Sequence, residues 1–169
     1  MNPCPCGYYN HPEQECVCSP GAVQKYMNRI SGPLLDRIDI HLEVIPVPFK
    51  ELTYESKGET SEDIRNRVIK ARKIQEERFI NKEGIHTNSQ MHSRQLNKYC
   101  ALDNSCRSLL RNAMDRLKLS ARAYSRILKV ARTIADLEGS EKIKTEHIAE
   151  TINYRNLDRE SWGKSSLVG

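Results

Sequence analysis

The sequence predicts a mainly α-helical protein with one isolated strand. Three observations lead there. Four segments after residue 60 carry apolar side chains at the three- and four-residue spacings that line one helix face, most fully Cys106, Leu109, Leu110, Ala113 and Leu117 at i, i+3, i+4, i+7 and i+11. A Ser, Thr or Asp stands before each of them, where a helix start needs an oxygen to accept its free N–H groups. Only one stretch, IDIHLEVIPV from Ile38, alternates apolar and polar residues as a half-buried strand does.

In chain order, residues 1–19 are turn-rich, because Pro3, Pro5, Gly7 and Pro12 interrupt any regular element. Ser19-Pro20 marks a helix start, and Val23, Tyr26, Met27 and Ile30 follow at helical spacing until Ser31-Gly32-Pro33 ends it. Ile38, Ile40, Leu42 and Val44 then alternate against Asp39, His41 and Glu43. One strand makes no sheet, so its partners are expected from another chain or from a larger protein of which this is a piece. Pro46 to Gly58 reads as a linker.

Thr60 caps a helix over Ser61–Phe79, with Glu62 and Asp63 in the first turn where the helix dipole favours anions and Ile64, Val68 and Ala71 facing inward. Residues 80–92 form a polar loop, after which Ser93 caps a short helix through RQLNKYC. Asp103 caps the next, lined by Cys106, Leu109, Leu110, Ala113 and Leu117. Ser120 opens a long helix whose stripe is Tyr124, Ile127, Leu128, Ala131, Ile134 and Ala135, and Gly139 stops it. Thr145 caps the last, with Ile148, Ala149 and Ile152 inward and Tyr154 closing the bundle. From Leu157 the tail is expected to fray. Four amphipathic helices with short connections make a small bundle.

A chain of 169 residues can bury one ordinary core or two small ones. No run approaches the ~20 apolar residues of a membrane span, and the N-terminus carries cysteines where a secretory signal would be apolar, so a soluble, cytoplasmic protein with no membrane partner is expected. The charged share is 29% and the net charge +5. That balance mildly favours polyanion partners, though a solvated surface with a lysine excess is the simpler account.

Of six cysteines, four cluster as Cys4-Pro-Cys6 and Cys16-Val-Cys18. Two close pairs bridged by nine residues can supply four thiolates to a structural Zn²⁺, which wants a tetrahedron of soft ligands. The C-x-C spacing only partly matches the usual C-x-x-C, and His11 could replace one thiolate. Four reduced cysteines in a proline-stiffened loop is the alternative, and disulfides are disfavoured in the cytosol.

The stretches NPCPCG and SGPLLDRID, continued by LSARAYSRILKVARTIADLEG and HIAETINYR, resemble the magnesium chelatase-like AAA+ ATPases, specifically their ComM (competence protein, Mg chelatase-related) subfamily, over essentially the whole chain. The chain has no G-x-x-x-x-G-K-[ST] phosphate loop and no apolar strand ending in paired acids; its late GKSS lacks the upstream glycine. The resemblance therefore implies the C-terminal third of such a protein. Residues 1–45 would be the C-terminal remnant of the AAA+ α/β core, 46–59 a linker, 60–156 the four-helix AAA+ lid and 157–169 a flexible tail.

Roles follow by position in that resemblance. Asn2 matches sensor 1, whose amide offers donor and acceptor to an attacking water without adding charge. Arg37 matches the arginine finger that reaches a neighbouring subunit's nucleotide, an effect of about 10³ to 10⁵ in rate where such fingers act. Arg122 matches sensor 2, with Arg126, one turn later, as its rival. Read locally, the same residues are an Asn in a turn, an arginine paired with Asp36 or Asp39, and a solvated helix face. His41 and His147 have no partner that the sequence names. Tyr8, Tyr9 and Trp162 read first as packing residues and second as base-stacking platforms.

The resemblance implies an intact protein that forms a hexameric ring, binds ATP and Mg²⁺, and uses hydrolysis to drive branch migration of DNA; this segment alone is expected to be inactive. Two rivals stand beside it. One is the ATPase subunit of a magnesium chelatase, inserting Mg²⁺ into a porphyrin. The other is a standalone zinc-stabilised binding module.

Overall fold

The computed structural model describes residues 1–44, 47 and 58–155. Nearly all of the expected linker and the expected tail, Trp162 included, lie outside them. The described residues are mainly helical: α1 Pro20–Met27, α2 Gly32–Leu35, α3 Ser61–Phe79, α4 Ser93–Tyr99, α5 Asn104–Arg116, α6 Ala121–Glu138 and α7 Thr145–Asn153, with a 3-10 turn at Asn88–Gln90. No helix among them is long and apolar enough to cross a membrane. They divide into two units, residues 1–44, 47 and 155, and residues 58–154.

In the first unit Ser19 caps α1 as its sequence requires, Oγ accepting from Ala22 N at 3.3 Å. Val23 and Met27 turn inward against Cys4, with Tyr9, Cys6, Cys16 and Cys18 packed around them. Gly32-Pro33 opens α2 rather than merely ending α1, because proline fits a first helical turn whose N–H has no partner anyway.

The expected strand is not formed among the described residues. A strand exists only by pairing, and none of them pairs with 38–44. Nor does the alternation sort the two faces: Ile38, Ile40, Leu42 and Val44 are 38, 45, 66 and 87% exposed, Asp39 and Glu43 are exposed as well, and of residues 38–44 His41 alone is buried, with Nε2 3.3 Å from Leu35 O. Arg155 Nη1 donates to Ile38 O.

In the second unit α6 is the hub, contacting α3, α4, α7 and the 3-10 turn, while α5 packs on α7. Its stripe of Ile127, Leu128, Ala131 and Ala135 is buried with Leu110, Ile143 and Ile148. The caps at Thr60, Asp103 and Ser120 form as expected, accepting from Asp63 N, Cys106 N and Ala123 N at 3.2, 2.7 and 3.2 Å. Gly139 ends α6 at φ 74°, a left-handed turn that lets Ser140 N reach Ala135 O.

Several expectations need correction. Ile64 and Val68 are each 43% exposed, and α3 buries only Ala71, Gln75 and Phe79. The helix is anchored near its C-terminus, so its first turns run past the helices they would pack on. Ala149 is exposed, and His147, Ile148 and Thr151 are the buried residues of α7. Ser93 and Thr145 are first helical residues, not caps. The preceding backbone N–H groups are satisfied from three residues on, His92 N by Gln95 Oε1 at 3.2 Å and Lys144 N by His147 Nδ1 at 3.0 Å. The 80–92 loop is pinned by buried Ile85, Asn88 and Met91.

The anchor of α3 is ionic. Asp136, 2% exposed, receives Arg78 bidentately at 2.5 and 2.7 Å, Arg132 Nε at 3.0 Å and Asn88 Nδ2 at 2.7 Å. Arg132 also donates from Nη1 to Glu141 O and from Nη2 to Ser140 O, and Asn88 N donates to Gln75 Oε1 at 3.1 Å.

Two carboxylates give this unit an acid limit. The Cys106 backbone N–H holds Asp103 below its ordinary 3.8, and hydrogen bonds from His147 and then Lys144 hold Glu138 below its ordinary 4.5. A lowered folded value contributes stability above the unfolded pKa and loses it as pH falls through the folded one. Urea midpoints should therefore fall as pH drops below about 4 to 4.5, and the Asp103→Asn, Glu138→Gln double variant should show a shallower decline.

Candidate metal centre and arginine sites

The turns of residues 1–19 bring all four clustered cysteines to one point. Gly7, at φ 88°, folds the loop back so that its N–H meets Cys4 O at 3.1 Å. The four Sγ atoms lie within 4.8 Å of one another, with Cys4–Cys6 at 3.3, Cys6–Cys16 at 3.6 and Cys4–Cys16 at 3.7 Å. A tetrahedral Zn²⁺ with bonds of about 2.3 Å sets its sulfurs about 3.8 Å apart, so the donor set fits that ion. His11 is not part of it: Nδ1 accepts from Glu13 N and Gln14 N at 3.1 and 3.0 Å, and its ring meets Tyr8 edge-on.

The thiols share charge unevenly. The Tyr8 backbone N–H is the main influence drawing Cys6 down to about 6. Cys16 feels the Cys18 backbone N–H pulling it down, yet desolvation and its sulfur neighbours carry it up to about 12. Four thiolates this close repel, and a divalent cation removes that conflict. Cys100 and Cys106, by contrast, are buried in the helical core and pushed up to about 11, chiefly by desolvation.

Asn2 is exposed beside this loop. Arg37 is exposed just after α2; its Nη1 donates to Pro33 O at 3.2 Å, and it forms no ion pair with Asp36 or Asp39. Arg122 is exposed in the first turn of α6, and Arg126, half-buried, follows on the same face. Asn2 and Arg37 belong to the first unit, Arg122 and Arg126 to the second. His147, without a partner in the sequence reading, donates from Nε2 to Glu138 at 2.5 Å while Nδ1 accepts from Lys144 N. Tyr9 packs on the thiols, and Tyr8 is 40% exposed.

Sequence reasoning missed two constellations. The Asp136 network was signalled by Arg132 and Asp136, an i, i+4 pair beside the apolar stripe of α6. The second is a cavity of about 520 Å³ among α4, α5 and α6, floored by apolar side chains and rimmed by Arg107, Arg111 and Tyr124. Tyr124, a member of the expected core stripe, is 42% exposed.

Residues 58–155 match the sequence profile of the magnesium chelatase subunit ChlI C-terminal domain, and residues 1–52 that of magnesium chelatase subunit ChlI. The competence protein ComM of Haemophilus influenzae is 41% identical over 160 residues, and the uncharacterized protein YifB of Salmonella typhimurium is 41% identical over 162. An uncharacterized protein of Mycobacterium tuberculosis is 30% identical over 154. These alignments cover 94, 94 and 91% of this chain and 30% of each relative, so the chain spans about a third of the length of the curated relatives it matches. The chain belongs to the magnesium chelatase ChlI family and is of the ComM type.

Proposed function

We propose that this chain is the sensor and lid portion of a cytoplasmic, ring-forming ATPase that couples ATP hydrolysis to DNA remodelling, the branch migration of recombination intermediates. The observation that carries this reading is the 41% identity to a competence protein over 94% of the chain, running through both units. The exposed Ile38, Ile40, Leu42 and Val44 support it, since they are the side chains a sheet completed by the rest of such a protein would cover.

In this reading Asn2 orients the attacking water as sensor 1. Arg37, exposed and, among the described residues, held through its guanidinium by a carbonyl of its own turn, has donors left for a phosphoryl group on an adjoining protomer. Arg122, with Arg126 as its rival, contacts phosphate as sensor 2. Mg²⁺ wants oxygen ligands, whereas among the described residues the group of three or more His, Cys, Asp or Glu close enough to share a metal is the cysteine set. The four cysteines would hold a structural Zn²⁺, leaving no open position for substrate.

The family profile's description as a magnesium chelatase subunit favours a second reading, Mg²⁺ insertion into a porphyrin. Branched-DNA unwinding assayed beside porphyrin metallation by the full-length protein separates the two.

In a full-length protein carrying this segment, Arg37→Ala should lower ATP turnover at least about 10³-fold while leaving nucleotide affinity nearly intact; unchanged turnover would refute the role. Chain purified without chelator should contain about one Zn²⁺. Four of its six thiols should then alkylate only after chelation, Cys100 and Cys106 staying protected until unfolding. Metal-free protein with four freely reacting thiols would sink the zinc assignment.

A further inference from the structure

The cavity among α4, α5 and α6 has the layout of a ligand site rather than a packing defect. Its floor is Leu96, Leu110, Met114 and Leu128, and its volume of about 520 Å³ lies in the range of small-molecule pockets, roughly 300–1,000 Å³. On the rim stand Arg107 and Arg111, one turn apart on α5, both exposed. Neither guanidinium donates a hydrogen bond or forms an ion pair within 4 Å with a described residue, although the Arg107 charge acts on the Asp103 carboxylate and the guanidinium groups of Arg78 and Arg132 in the same unit are both paired with Asp136. Asp103, one turn before Arg107, has its carboxylate occupied as the α5 cap. The third rim group, Tyr124, is a large ring left 42% exposed at the start of α6.

An apolar floor, an exposed aromatic face and two exposed guanidinium groups whose N–H donors meet no described residue are complementary to a flat apolar ring joined to anionic groups. We propose that this groove seats a base of single-stranded nucleic acid, stacked on Tyr124 over the leucine and methionine floor, with the flanking phosphates on Arg107 and Arg111. This rests on the DNA-remodelling reading and gives it a second contact surface, apart from the nucleotide residues. Arg122 and Arg126 lie about 120–160° around α6 from Tyr124 and Leu128, so the groove and the sensor residues use different sides of one helix. An acidic peptide would satisfy the arginines but has no use for the tyrosine face.

The test titrates fluorescein-labelled oligothymidylate of about 20 nucleotides with the 169-residue chain, following anisotropy at several salt concentrations. Wild type should bind saturably. The Arg107→Ala, Arg111→Ala double variant should bind at least tenfold more weakly and lose about 1.4 from the slope of log affinity against log salt. Tyr124→Ala should weaken binding about tenfold with the slope unchanged, and Tyr124→Phe should restore it. Arg65→Ala with Arg72→Ala on α3 should stay within twofold of wild type, and thermal melts should report all variants folded. Overturning results are no binding by wild type, affinity indifferent to Arg107, Arg111 and Tyr124, or competition by polyglutamate as effective as by oligonucleotide. Branch migration by the full-length protein is scored separately: its absence beside groove-dependent oligonucleotide binding refutes the proposed function and leaves the groove standing. Its presence beside groove-indifferent binding refutes the groove alone.

Discussion

The helical unit depends on one buried carboxylate. Asp136 gathers Arg78 from α3, Arg132 from α6 and Asn88 from the 3-10 turn, so a single side chain decides where α3 ends against α6 and where the 80–92 loop closes. Desolvation pushes the Arg132 guanidinium below its ordinary pKa, and the Asp136 charge opposes that. Buried ion pairs often gain little over apolar packing, but losing one member is costly because the rest stay buried and charged. The network's contribution is to geometry: ridge packing alone tolerates a range of helix crossings, whereas a bidentate fork and an amide satisfied on both ends admit one.

The two proposed surfaces follow from that geometry. With α6 fixed as the hub, Arg122 and Arg126 are turned to one side and Tyr124 and Leu128 to the other, where α4 and α5 complete a groove. The first unit is organised by different means. Among its described residues the apolar cluster is Cys4, Val23 and Met27, with Leu35 buried apart from it, too little to order a nineteen-residue loop containing three prolines. Cross-linking through a metal is the usual remedy for a core that small, and the four thiols stand at the separations such a cross-link requires.

Much of the helical architecture could be read from the sequence because caps and period are local. Thr60, Asp103, Ser120 and Gly139 mark helix ends through their own side chains or backbone freedom, and those ends stand where expected. The cysteine gathering was legible for the same reason. What could not be read is tertiary. Ile64 and Val68 have the right period for an inner face, but period does not reveal where the neighbouring helices stop. The IDIHLEVIPV alternation names a strand without naming its partner, and lacking one the segment exposes its apolar side. Arg78 and Asp136 are 58 residues apart, a pairing no local pattern announces. The cavity rim escaped because Tyr124 satisfies the stripe of α6 yet sits at the helix end, where cover runs out.

The direct measurement is a urea-unfolding double-mutant cycle on Arg78→Met and Asp136→Asn. If Asp136 anchors the unit, removing its charge costs about 3–5 kcal/mol, much of the stability a domain of this size possesses. The double variant then falls short of the summed single losses by about 1–3 kcal/mol. Single losses below about 1 kcal/mol that simply add would mean that apolar packing alone sets the bundle, contradicting the account.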